Sequence, residues 1–322
     1  MLALVVRRLL LGVLIAFLVA TLSFVLVHAA PGEPFAALRE DARITPEMAQ
    51  RIREQYGLDR PLGEQYVRYI ASLARGDLGE SMLQRRRVSS VLGDALPNSL
   101  LLMATALLVA FALGVTLGAL QAYRHGSFFD RAVGGVSLTL ASVPEYLLAI
   151  ALLLAAAYLL PTLPTAGMSD PVMWRFMSPL QRLTDVARHL ILPATTLVLI
   201  IASVVARYQR AALLDVLPDD FVRTAKAKGL SHGRVLIHAL RNALLPTITL
   251  IGLLFPALFG GAVFVENVFA WPGMGRVIVE ALMARDYPLI LGCLVIGSVF
   301  VVAGGLVADL AAMSADPRTR AA

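Results

Sequence analysis

Six apolar windows, each long enough to cross a lipid bilayer, dominate this sequence: residues 9–30, 99–123, 132–160, 189–206, 243–265 and 288–313. A helix rises 1.5 Å per residue, so about 20 residues cross the hydrocarbon layer. Backbone groups in lipid must satisfy one another, which windows of this length achieve as helices. The length of 322 residues would otherwise suggest two soluble domains, but only 16% are charged and 58% are hydrophobic. A soluble chain would carry about a quarter charged residues. The expected fold is all-α: a polytopic membrane protein with six transmembrane helices.

Charge orients this bundle. Arg7 and Arg8 precede the first window, Arg124 and Arg131 lie around the start of the third, and Arg318 and Arg320 follow the sixth. Segment 207–241 carries seven Lys/Arg against three Asp, whereas 31–97 is balanced at ten Arg and ten Asp/Glu. Cytoplasmic loops collect Lys and Arg, so both termini and 207–241 are expected inside. The same rule accounts for the net charge of +6 without a nucleic-acid partner. The first window has a 19-residue apolar run from Leu9 to Val27, longer than a signal-peptide core of about 7–15 residues, and reads as an uncleaved span. Pro144 and Pro256 interrupt the third and fifth windows and should kink them. Gly114 and Gly118 form a small-xxx-small pair suited to close helix contact.

The chain divides into residues 1–30, the N-terminus and first span; 31–97, an extracytoplasmic helical subdomain; and 98–322, a five-helix core with an inner loop at 207–241. In the outer segment, Thr45 and Pro46 suit a helix start. A second run places Tyr66, Ile70 and Leu73 on one face, and Gly76-Asp77-Leu78-Gly79 ends it. In the inner loop, Asp219 or Asp220 can cap a short helix through Lys228, ended by Gly229, and Ser231 can cap the next. Both an amphipathic helix lying on anionic lipid and a docking element for a cytoplasmic partner fit this pattern. After the fifth window, Glu266-Asn267-Val268-Phe269-Ala270-Trp271-Pro272-Gly273 is aromatic but broken by proline and glycine. It reads as a re-entrant or interfacial turn on the outer side, with Phe269 and Trp271 at home at the membrane–water boundary; its non-helical backbone has to line a cavity or be buried in protein, and is expected to line the pathway.

Energy must come from elsewhere. There is no Gly-x-x-x-x-Gly-Lys-Ser/Thr loop, no His-Glu-x-x-His and no Gly-x-Ser-x-Gly. The single cysteine, Cys293, excludes an intrachain disulfide and reads as a small core residue. Glu145 and Asp309 are the only acids deep in apolar windows. An ion-coupled secondary transporter would call for paired midplane carboxylates and an internal repeat, and a membrane enzyme for a cluster of acid, base and nucleophile.

Several segments resemble the permeases of binding-protein-dependent ABC importers, in the dipeptide/oligopeptide/nickel branch. Phe221-Val222-Arg223-Thr224-Ala225-Lys226-Ala227-Lys228-Gly229-Leu230 is similar to that branch's coupling-loop signature, with Arg223, Thr224 and Ala225 at the positions of Glu-Ala-Ala and Gly229 as its glycine. Asn242-Ala243-Leu244-Leu245-Pro246 resembles the motif's tail. Elsewhere, Gln55-Tyr56-Gly57-Leu58-Asp59-Arg60-Pro61-Leu62, Gly76-Asp77-Leu78-Gly79-Glu80-Ser81, Leu96-Pro97-Asn98-Ser99, Gly260-Gly261 through Gly275, Arg285-Asp286-Tyr287-Pro288, and Asp309 with Asp316-Pro317-Arg318 resemble the same branch. Together they run in order through nearly the whole chain, and the first span leading to a long outer subdomain resembles the first, B-type permease of the pair.

The resemblance implies a type I ABC importer permease fold in the bacterial inner membrane. It implies no enzyme activity and no cofactor in this chain, with ATP and Mg on partners. Those partners are a second permease forming a heterodimer, two cytoplasmic ATPases and an extracytoplasmic solute-binding protein. The implied coupling loop is Phe221, Arg223, Thr224, Ala225, Lys226, Ala227, Lys228, Gly229 and Leu230. Pro144, Glu145, Glu266, Phe269, Trp271, Pro272 and Gly273 are expected at the pathway or gate, and Tyr66, Tyr69 and Asp77 at the binding-protein contact. Di- or oligopeptides are the expected cargo, with nickel, glutathione or sugar as the alternatives.

Overall fold

The computed structural model describes residues 2–29, 50–51, 54, 57, 59–82, 84–254 and 262–315. The expectations at Thr45-Pro46, Tyr56, Pro256, Gly260-Gly261 and Asp316-Pro317-Arg318 lie outside these residues, as does the side chain of Asp309. The helices in chain order are α1 Leu2–Ala29, α2 Leu62–Ala74, α3 Val88–Tyr123, α4 Phe128–Ser142, α5 Glu145–Leu159, α6 Pro179–Val216, α7 Asp220–Ala227, α8 His232–Leu254, α9 Val263–Val268, α10 Met274–Ala284 and α11 Tyr287–Ala315. The strands among the described residues, β1 Glu80–Ser81 and β2 Arg86–Arg87, form a short antiparallel hairpin before α3.

Among the described residues, four helical stretches are each long and apolar enough to cross a membrane: Leu10–Ala29, Val88–Tyr123, Pro179–Val216 and Tyr287–Leu306. The third window divides into α4 and α5, which meet at 107°. Pro144 sits at that break: it cannot donate a backbone hydrogen bond, and it holds Val143 extended (ψ 128°). Counted as one bent span, this pair brings the number to five. The fifth window runs from α8 across undescribed residues into α9. The chain is thus an all-α, polytopic membrane protein with four to five such helices among the described residues.

The chain forms two compact units. One, Met1–Pro97 with Gly273–Val302, holds α1, α2, the hairpin and α10. Its core packs Val88, Val91, Leu92 and Ala95 with Val277, Ala281, Tyr287, Leu289 and Cys293. Ser81 Oγ donates to the buried Asp286 carboxylate at 2.5 Å. The other unit, Asn98–Pro272 with Ala303–Ala322, is built around α6, against which α4, α5, α8 and α9 pack. The glycine pair of α3 lies directly on α6: a Cβ at Gly114 would stand 2.6 Å from Val205 Cβ, and one at Gly118 2.4 Å from the Ala206 carbonyl. α6 begins with a reciprocal cap, in which Ser178 accepts from Gln181 N–H and Gln181 accepts from Ser178 N–H.

Candidate functional site: an inner helical loop and a buried acidic turn

The inner loop folds as its sequence pattern predicts, with one change at its cap. Asp219 precedes α7, but its side chain makes no capping hydrogen bond; Asp220 fills the first turn instead. The helix ends where Gly229 adopts φ +76°, with Gly229 N–H donating to Lys226 O and Leu230 N–H to Ala225 O. Val222 and Ala225 are buried with Leu213, Val235, Ala239 and Ala243. Phe221, Arg223, Thr224, Lys226, Ala227, Lys228 and Gly229 are exposed, and Leu230 is half-buried. Two small apolar residues therefore fix the helix on α6 and α8 while its cationic face stays outward. Arg223 has one acidic neighbour, the exposed Asp220 at 3.6 Å, a pairing worth little in water.

The turn after α9 is buried in protein. Phe269 and Trp271 are 1% and 0% exposed, inside a core with Leu102, Met103, Ala149, Leu192 and Leu197. The physical reason is the polar end of Trp271: its Nε1–H donates to Asn98 O at 2.9 Å, so the ring is held inside with its donor satisfied. Glu266 is fully buried and accepts from Ser99 Oγ at 2.6 Å. Asn98 Nδ2 donates to Pro272 O, and Ala270 takes φ +51° to turn the chain. Pro272 is exposed; Gly273, in the other unit, precedes α10. Asn98 and Ser99 appeared in the sequence only within the Leu96–Ser99 resemblance; their partnership with Glu266 and Trp271 links positions more than 160 residues apart, which no local pattern reveals.

Glu145 joins the same region. It opens α5, beside the Val265 backbone, half-buried, with Oε1 enclosed and lacking a hydrogen-bond partner among the described residues. Tyr146 and Phe264 approach at 6.2 Å between ring centroids. The two stretches marked separately, 144–145 and 266–272, thus belong to one packed region of α5 and α9, with Pro144 exposed at its edge.

In the other unit, Tyr66 and Tyr69 turn towards α1. Tyr66 shares a hydrogen bond with Thr21 Oγ1 at 2.8 Å, and the Phe24 ring lies 5.4 Å from Tyr66 and 5.7 Å from Tyr69. Burial pushes the Tyr69 hydroxyl up to about 12, and its oxygen has no hydrogen-bond partner among the described residues. Arg60, hydrogen-bonded to Glu64, holds that carboxyl below its usual range. Asp77 is exposed, its Oδ1 accepting from Gly79 N–H. Among the described residues, no group of three His, Cys, Asp or Glu is arranged to hold a metal ion.

One charged pair escaped the sequence reading. Asp130, 4% exposed, receives two hydrogen bonds from Arg210, Nε at 2.6 Å and Nη2 at 2.8 Å. Asp130 lies just ahead of an apolar window and Arg210 just beyond another, so neither stands out as an intramembrane charge.

Spanning helices, an anchored cationic helix and a buried polar turn belong to an all-α, polytopic membrane protein. Residues 114–321 match the binding-protein-dependent transport system inner membrane component family, and residues 1–103 match the N-terminal part of binding-protein-dependent transport system membrane components. The chain belongs to this family of inner-membrane, multi-pass transport subunits. It is 37% identical over 320 residues to the oligopeptide transport system permease protein AppB of Bacillus subtilis, covering 99% of each chain. It is also 37% identical to the di/tripeptide transport system permease protein DppB of Pseudomonas aeruginosa and 35% identical to the dipeptide transport system permease protein DppB of Escherichia coli, again over 99% of each.

Proposed function

We propose that this chain is one of two permeases of an ATP-driven importer for di- or oligopeptides. The names of the relatives above support the cargo. Six spans place both termini in the cytoplasm, and the subdomain at 31–97 faces outward, where a solute-binding protein delivers peptide. A second permease completes the pathway, and two ATPases dock from inside. The observation that carries the coupling role is the mounting of α7: Val222 and Ala225 are locked into the bundle while Arg223, Lys226 and Lys228 face solvent. A push on that helix passes to α6 and α8, a two-state element biased from one side. Glu145, Glu266, Phe269 and Trp271 form the packed region that such a movement would open at the gate.

Mild-detergent co-purification from native membranes tests the assembly. The expected result is recovery of a second permease and ATPases, with peptide carried by the binding protein. Recovery of the chain alone would overturn the reading, and nickel, glutathione or sugar on the binding protein would replace the cargo.

Replacing Gly229 with Val tests the coupling. At φ +76° an L-residue is strained by about 1–2 kcal/mol, and a β-branched one more. No atom stands within 4 Å of a Cβ there, so the effect is confined to the turn. Transport-linked ATP hydrolysis should drop at least several-fold with membrane levels retained; unchanged hydrolysis and ATPase recovery would remove α7 from the coupling path.

A further inference from the structure

Between α4 and α6 lies an open cavity of about 710 Å³, lined by Arg131, Gly134, Leu138, Val204, Arg207 and Tyr208, with the Asp130–Arg210 pair at its wall. We propose that it holds the headgroup and upper acyl region of an anionic phospholipid.

Three observations carry this. First, Arg131 and Arg207 are exposed and have no acidic partner among the described residues, whereas Arg210 is committed to Asp130. Two uncommitted guanidinium groups on separate helices suit a phosphate. Second, the lining changes polarity with depth in one consistent direction. Arg131 follows Asp130, which pairs with Arg210, so it stands level with the Arg207–Ala211 stretch of α6. Leu138, seven residues further along α4 at about 1.5 Å each, and Val204, earlier on α6, form the apolar depth. Arginines at a membrane-surface end and apolar walls below match a phospholipid, and basic pockets between spanning helices are the usual form of such sites. Third, Leu138 and Tyr208 remain more than half exposed, at 56% and 54%, so the opening is lined by apolar and aromatic surface.

The full chain, purified in mild detergent and titrated with short-chain phosphatidylglycerol, phosphatidylcholine or inorganic phosphate, tests the site by native mass spectrometry. Phosphatidylglycerol should bind at least ten-fold more tightly than phosphatidylcholine, and Arg131→Ala with Arg207→Ala should remove that preference. Leu138→Trp, which fills the cavity and leaves every charge in place, should also weaken phosphatidylglycerol binding. Equal affinity for the two lipids, or a preference surviving both variants, would overturn the proposal. Inorganic phosphate competing as well as the lipid would make this a free-anion site and overturn it too. So would exclusive crosslinking of a photoreactive residue at 138 to a protein in native membranes, which would assign the cavity to a partner subunit.

Discussion

Gly118→Val should leave little folded protein in the membrane. A Cβ at this position would stand 2.4 Å from the Ala206 carbonyl, 2.8 Å from Gln209 Cβ and 3.0 Å from Arg210 N. Two of those atoms are backbone, so no rotamer change relieves the overlap; α3 and α6 must separate. Overpacking a close contact costs about 1–3 kcal/mol when side chains can give way, and here they cannot. Separation would also disturb Gln209, which is fully buried, donates to Ala243 O and accepts from Thr247 Oγ1. Gly135→Ala is the control: it lies on α4 with no atom within 4 Å of its Cβ, and alanine favours a helix by about 1 kcal/mol over glycine. Thermal unfolding in detergent, together with membrane abundance, reads both. If Gly118→Val matched the wild type in each, the close α3–α6 contact would have to be abandoned.

The second large effect is expected at Arg210. Its fork binds both oxygens of Asp130, Gly126 N–H donates to the same carboxylate at 3.0 Å, and His125 lies 3.3 Å away. Asp130 is nearly enclosed at 4% exposure while Arg210 keeps 31%. Arg210→Ala therefore strands a buried carboxylate, and breaking such a pair from one side costs about 3–5 kcal/mol. Asp130→Asn should cost clearly less, because the cation left behind reaches water and no buried charge remains. Arg210→Lys should fall between, keeping the charge but losing the two-point geometry. The order of unfolding temperatures, wild type, then Asp130→Asn, then Arg210→Ala, is the result to look for; the reverse order of the last two would mean that the arginine, not the aspartate, is the group held out of water.

Local pattern carried much of this molecule. Gly229 after Lys226 and Lys228 announced the end of α7, Gly76 the end of α2, and Pro144 the break between α4 and α5, because each acts through the few bonds around it. What pattern does not carry is partnership across the chain. Trp271 looked interfacial because an indole suits a boundary; only the Asn98 carbonyl, 173 residues away, lets it be buried. Tyr66 and Tyr69 were expected at a binding-protein contact, and nothing local to α2 points to Phe24 and Thr21 of α1, against which they lie. The Gly114/Gly118 spacing is common in apolar helices, and its meaning came from Val205 and Ala206. A single helix cannot say which of its faces another will meet.

The centrality of α6 sets an order of events during synthesis. It is the most enclosed span, with 61% of its most apolar window buried against 17% for α1, and α4, α5, α8 and α9 all pack on it. Yet it ends at Val216, about two thirds of the way along the chain. Helices α3, α4 and α5 leave the ribosome before their central partner exists. Each satisfies its own backbone in lipid, so they can wait there, but the glycine seam of α3 and the carboxylate of Asp130 stay uncovered until α6 arrives. Synthesis stalled between residues 160 and 216 should therefore leave the seam of Gly114 and Gly118 and the Asp130 carboxylate without the helix that covers them.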